Sequence, residues 1–402
     1  MRSRRRRRSN PFLIVALLAL IAGVVYINQI VVPEIPPPFV ETPTPTRSPE
    51  SFLTEARRLF EEGNLSQSIS AYQDAILADS TNPSLYTELG RIQVLAGEYE
   101  AALTSAQNAL LLNPNNSMAL AIQGWAQFFL GDVLTAESTV KQALTLDPNN
   151  GLAHAYYAEI LSGAGKFDQA GEASRQAINL ASEELEAFRA RGIVLELTGN
   201  YAEAIAEYNA ALRINPNIAD LHIALGRNYA TIEDYDQAEE AFIRANSLNP
   251  SDPLPDSYLA RTYARIGQFS KAVQYAELAV QDDPTDPALY GSLGIMLYRN
   301  GQRAEAVEPL RMAVEGGLTE DGMAVEGLAL ASGRVAEYYS TFTLALARTN
   351  ACGEALQLVQ LILTGVPEDE NAIFNANEAQ IICQEQASQT PEPAVTEEAP
   401  SE

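Results

Sequence analysis

The stretch ADLHIALGRNYATIEDYDQAEEAFIRANSLNPSD, Ala219 to Asp252, decides how the rest of the chain is read. His222, Leu225, Gly226 and Tyr229 are spaced i, i+3, i+4, i+7, and Ala238, Phe242 and Ala245 continue at helical spacing, so the stretch predicts two helices that each bury one face. Between and after them stand a turn and Pro250, which cannot sit inside a helix because it lacks an N–H and clashes with the preceding turn. The same 34-residue frame begins at Pro49, Pro83, Ser117, Gly151, Leu185, Ala219, Pro253 and Pro287, eight blocks without a gap.

Numbering each block from its first residue turns the frame into columns. Slot 8 is small throughout: Ala56, Gly90, Gly124, Ala158, Gly192, Gly226, Ala260 and Gly294. Slot 20 holds Ser68 and then alanine from Ala102 to Ala306, with alanine again at slot 27. Helices approach to about 8 Å only across small side chains, so these columns predict where the two helices of a block cross. Slot 15 is glycine in seven blocks, Gly63 to Gly301, with Glu233 the exception. That is the residue expected where a helix ends in a left-handed conformation.

The pattern of slots 4, 7, 8 and 11, then 20, 24 and 27, then proline at slot 32, resembles the tetratricopeptide repeat, whose signature is W-x2-L-G-x2-Y, A-x3-F and P. The resemblance covers residues 49–320 as eight units and implies an all-α, right-handed α-α solenoid of helical hairpins. After Glu320 the period breaks over 321–335, an insertion expected to pack on the stack as a loop or short helix through Met323, Val325, Leu328 and Leu330. Residues 336–386 fit a degenerate ninth unit, with Tyr339, Phe342, Leu346, Ala355, Val359, Ile362 and Pro367 in their slots, followed by a capping helix that covers the last open face.

Residues 1–10 carry six arginines and no acid, and residues 11–32 form an apolar run. At about 1.5 Å per residue, 22 residues reach roughly 33 Å, enough for a hydrocarbon core of about 30 Å. A single transmembrane helix is therefore expected, with the arginines cytoplasmic and the repeats outside. A cleaved signal peptide, giving a secreted protein, is the weaker alternative, since Leu20-Ile21-Ala22 is a poor small-x-small exit; twin-arginine context is also missing. Residues 33–48 are a proline-rich spacer. Residues 387–402 are an acidic tail of disordered composition.

From Ser48 onward the chain holds 19 basic and 50 acidic side chains, 19 − 50 = −31. Such a surface repels nucleic acid and anionic lipid, so membrane contact falls to the N-terminal helix and its arginines. Catalytic signals are few, and no enzyme activity or cofactor is expected. His154 and His222 share slot 4 with Phe52, Tyr86 and Tyr290, a packing column, and neither a nucleophile elbow nor a phosphate loop nor a metal-ligand spacing appears. A hydrolase with an unmarked carboxylate pair is a remote alternative.

Binding remains. In the family resembled, the first helix of each unit lines the concave groove through slots 2, 5, 9, 12 and 13. Carried over by column, this gives Arg57, Arg91, Trp125, Phe128, Phe129, Arg189, Arg227, Arg261, Arg265, Tyr298 and Arg299 as a candidate groove for a protein or peptide partner bearing carboxylates. A sugar stacking on Trp125, Phe128 and Phe129 is the alternative, as in an accessory to cell-surface polysaccharide assembly or export. The bland reading is that these aromatics pad helix interfaces and the arginines pair with neighbouring acids. Chaperone-binding members of the family use Lys and Asn at inward slots. Arg91 and Arg227 stand where that Asn belongs, so that activity does not transfer. Finally, Cys352 at slot 17 of unit 9 and Cys383 at slot 14 of the cap are expected to meet, because successive helices run antiparallel. A disulfide there would persist outside the cytoplasm and contribute about 3 kcal/mol.

Overall fold

The computed structural model describes residues 11–26 and 48–389. The first described segment is a single apolar helix, Pro11–Tyr26. Its 16 residues correspond to about 24 Å at 1.5 Å per residue, and among the described residues no helix is long and apolar enough to cross a membrane. Residues 27–32 of the expected span lie outside the described residues, as do the basic tail and most of the spacer and acidic tail.

From Pro49 the chain forms one compact unit of helical hairpins. The first helices of the eight blocks begin on each block's first residue and run 13 residues each, from Pro49–Glu61 to Pro287–Arg299. In units 1 to 7 the second helices run 14 residues, from Leu65–Ala78 to Phe269–Asp282. A column that the sequence reading passed over sets the starts. Slot 34 side chains Asn82, Asn116, Asn150, Asp252 and Asp286 accept a backbone N–H of the following first turn, which satisfies donors that have no partner inside the helix.

The small columns are explained by the cross-hairpin fit. A Cβ added to Gly226 would lie 2.6 Å from the Phe242 ring, one added to Gly192 would lie 2.7 Å from Tyr208, and one added to Gly124 would lie 2.5 Å from Val140. In these units slot 8 is therefore small because slot 24 lies directly over it. Every slot 15 glycine has positive φ. Slot 4 links consecutive units. His154 and His222 contact the carbonyls of Pro148 and Pro216 at 2.9 Å, as Tyr86 and Tyr290 do those of Ser80 and Pro284.

The eighth unit departs from the frame, and the chain is not wholly α. Its second helix is only Val307–Val314. Gly316 then turns left-handed, φ 76°, and Gly316–Leu318 pairs antiparallel with Ala324–Glu326, with Gly317 opposite Val325. The insertion expected as a loop or short helix is thus the second half of a small β-hairpin. Val325 is buried in it, while the Tyr339 hydroxyl donates to the Leu328 carbonyl at 2.7 Å and fastens the segment to unit 9. Unit 9 follows as Arg334–Arg348 and Cys352–Gly365, and the cap as Glu370–Gln389. Cys352 and Cys383 are joined, with Cα atoms 5.5 Å apart.

Candidate functional site

The inward columns separate into two regions that differ in exposure. In units 2 to 5 they form a polar and aromatic interior. Trp125 is fully buried, stacks on Tyr156 with ring centroids 4.1 Å apart, and donates its indole N–H to Glu159 at 2.8 Å. Glu159 is itself buried and lies 3.2 Å from the Arg189 guanidinium, which sits over the Trp125 ring at 5.3 Å. Burial pushes the Glu159 carboxyl up and the Arg189 charge opposes that rise. Phe129 stacks on Tyr99 at 4.6 Å and meets Phe128 edge-on; both phenylalanines are half-buried.

Arg91 is held in the same way across a longer span. Its Nε donates to Glu186 at 2.6 Å and its Nη2 to Glu184 at 2.6 Å, and Glu186 has no exposed side-chain surface. Burial acts against the Arg91 charge, but the two carboxylates outweigh it and hold the guanidinium pKa well above its ordinary value. Removing one member of a buried pair leaves the other charge uncompensated. Arg227 is half-buried and pairs with Glu196 at 2.9 Å.

Units 7 and 8 differ, since Arg261, Arg265 and Arg299 are exposed. Arg261 lies over the Tyr258 ring at 5.6 Å, Arg265 reaches the Ala230 carbonyl only at 3.5 Å, and Arg299 pairs with Glu337 at 2.9 Å on the surface. Tyr298, the residue before Arg299, is half-buried, and Arg57 at the other end of the stack is exposed. The aromatic face proposed for a sugar is therefore absent at Trp125. Its ring is covered on both sides and its one polar atom is satisfied.

Glu159, Glu184, Glu186 and Tyr156 were missed as partners of these columns, and so were Asn215 and Asn217. The Asn215 side chain donates to the Phe60 carbonyl at 2.9 Å and the Asn217 side chain to the Glu61 carbonyl at 3.0 Å. One signal was available in the sequence. Slot 34 is Asn or Asp at Asn82, Asn116, Asn150, Asp252 and Asp286, but Glu184 and Ile218 where the chain comes round to meet units 1 and 2. Among the described residues no three His, Cys, Asp or Glu side chains are grouped to hold a metal ion.

Comparison with known proteins agrees with the hairpin frame. Models described as tetratricopeptide repeat match residues 185–218 and residues 53–117, 87–151, 223–287 and 259–322. No curated protein matches. Among solved structures, PilW, described as a widely conserved type IV pilus biogenesis factor, is 22% identical with a TM-score of 0.46, over 49% of this chain and 91% of that one. A tetratricopeptide repeat protein from Parabacteroides merdae is 16% identical with a TM-score of 0.41, over 62% and 98%. PilF of Pseudomonas aeruginosa is 18% identical with a TM-score of 0.39, over 51% and 93%.

Proposed function

Since the chain belongs to the tetratricopeptide repeat family, we propose that it is a non-enzymatic scaffold that captures a protein partner through the inward face of units 7 and 8, tethered to a membrane by its N-terminal segment. The observation that carries the reading is the contrast in the arginine columns. Arg91, Arg189 and Arg227 are committed to Glu186, Glu159 and Glu196, whereas Arg261 and Arg265 are exposed, Arg261 over the Tyr258 ring, and Arg299 pairs with Glu337 only at the surface. Planar guanidinium groups beside an aromatic ring suit a carboxylate-bearing peptide.

The tether is read from the apolar run at 11–32 behind six arginines, of which the helix Pro11–Tyr26 is described. With the arginines inside, the repeats lie outside the cytoplasm, a compartment in which the Cys352–Cys383 bond would persist. Photo-crosslinkers placed at Arg261 and at the exposed second-helix residue Leu77 of unit 1 in living cells, followed by mass spectrometry, test the capture. A partner crosslinked from 261 alone, and lost when R265A and R299A are added with the helical melt unchanged, is the expected result. Equal yield from both positions, or capture that survives R265A and R299A, would remove this face.

A further inference from the structure

The contacts that join unit 1 to the turn between units 5 and 6 span residues 155 and 156 positions apart. They are unlike anything a simple stack provides, because a solenoid repeat ordinarily touches only its neighbours. Four features show a built seam. Asn215 is buried and spends its side-chain donor on the Phe60 carbonyl. Gly63 is the only slot 15 glycine whose missing side chain leaves room for anything. A Cβ there would overlap the Asn217 carbonyl oxygen, whereas Gly97, Gly131, Gly165, Gly199, Gly267 and Gly301 have nothing within 4 Å. Phe60 and Leu65 pack against apolar residues of units 5 and 6, and Arg91 of unit 2 is clasped by Glu184, the last residue of unit 4, and Glu186 of unit 5. The two slot 34 residues that abandon helix capping, Glu184 and Ile218, are both in this seam. One pairs with Arg91 and the other is 1% exposed.

We propose that units 1 and 2 form a latch that closes the concave groove of units 1 to 6 on itself, through Asn215 and Asn217 on the Phe60–Glu61 carbonyls and Glu184 and Glu186 on Arg91. With the latch shut, the inward arginine of unit 2 already holds two carboxylates and the groove is filled by the protein's own side chains. Opening frees Arg91 and the Glu184–Glu186 edge together. An acidic partner of this half of the groove must displace Glu184 and Glu186, so binding there is coupled to opening, while units 7 and 8 are available in either state. The latch goes beyond the proposed capture on units 7 and 8 and does not depend on it.

The test needs no partner, so its failure and the failure of partner capture are separate results. Spin labels on Asp74→Cys and Asp236→Cys, both exposed and making none of the seam contacts, report the separation of units 1 and 6 under non-reducing conditions that leave the native cystine intact. The intact latch should give one narrow distance. Gly63→Ala should add a second, longer population, and Gly131→Ala should not, although the two glycines share the same left-handed strain, φ 79° and 87°. Should Gly63→Ala fail to fold, N215A/N217A adds no bulk and should open the same population. A broad distribution in the intact protein overturns the latch. So do superimposable distributions for the two glycine variants, or a double asparagine variant that stays narrow.

Discussion

Glu233 sits at slot 15 with φ 65°, in the conformation its seven glycine counterparts adopt, so the one visible exception to the turn column is an exception in side chain and not in backbone. Position in the frame dictates the turn even where the residue resists it. Electrostatics at single residues is less legible, and Asp256 shows why. It occupies slot 4 of unit 7, a packing column, and is buried at 3% exposure. Its carboxylate accepts from Asn246 at 2.9 Å. Burial first, and then the charge of Asp282 on the facing helix, push its pKa from the ordinary 3.8 to about 6. A folded-state pKa above the unfolded one means that the native protein holds the proton more tightly. The stabilisation is therefore complete below about pH 4 and is lost as pH rises through 6. The melting temperature, followed by circular dichroism, should show a step downward between pH 4 and 7 that Asp256→Asn removes. A step of the same size in that variant would assign it to other carboxylates.

At the scale of elements, the periodic columns foretold the helices well because each hairpin is specified locally. Slot 8 faces slot 24, slot 15 turns and slot 32 stops, all within 34 residues. The unit 8 hairpin was misread for the complementary reason. Slots 30 and 31 are Gly316 and Gly317, so the second helix ends early and the strand that follows gains its partner only across the turn at Gly322. The fit between columns gives a quantitative contrast. A methyl at position 226 would strike the Phe242 ring, whereas one at position 90 would meet its nearest atom at 3.2 Å and sits in the same helical slot. Overpacking costs about 1–3 kcal/mol, and alanine in place of a helical glycine returns about 1 kcal/mol. Gly226→Ala should therefore lower the urea midpoint and Gly90→Ala should leave it level or raise it. Equal losses in both would mean that slot 8 is small for some reason other than the residue opposite.

For the whole molecule, the linear stack was legible and its closure was not. Period reports what each unit does to the next, whereas Arg91 and Glu186 lie 95 positions apart and share no column that repeats. The two departures at slot 34 became meaningful only once the structure set Glu184 and Ile218 against units 1 and 2. This closure alters how stability should be distributed. In an open stack the first repeat has one neighbour and frays, and local opening there needs little free energy. Here the Phe60 and Glu61 carbonyls accept from the Asn215 and Asn217 side chains and Gly63 rests on the Asn217 backbone, and Arg91 ties unit 2 to unit 5 through a buried pair. Breaking such a pair from one side costs about 3–5 kcal/mol. Hydrogen exchange should accordingly protect the amides of Leu65–Ala78 nearly as well as those of Tyr201–Ile214. In Arg91→Ala, protection should fall in units 1 and 2 by at least tenfold while Cys352–Gly365 in unit 9 is unaffected. If unit 1 already exchanges quickly in the unsubstituted protein, the seam does not hold, and the chain behaves as a plain row of hairpins in which each unit is only as stable as its nearest neighbours make it.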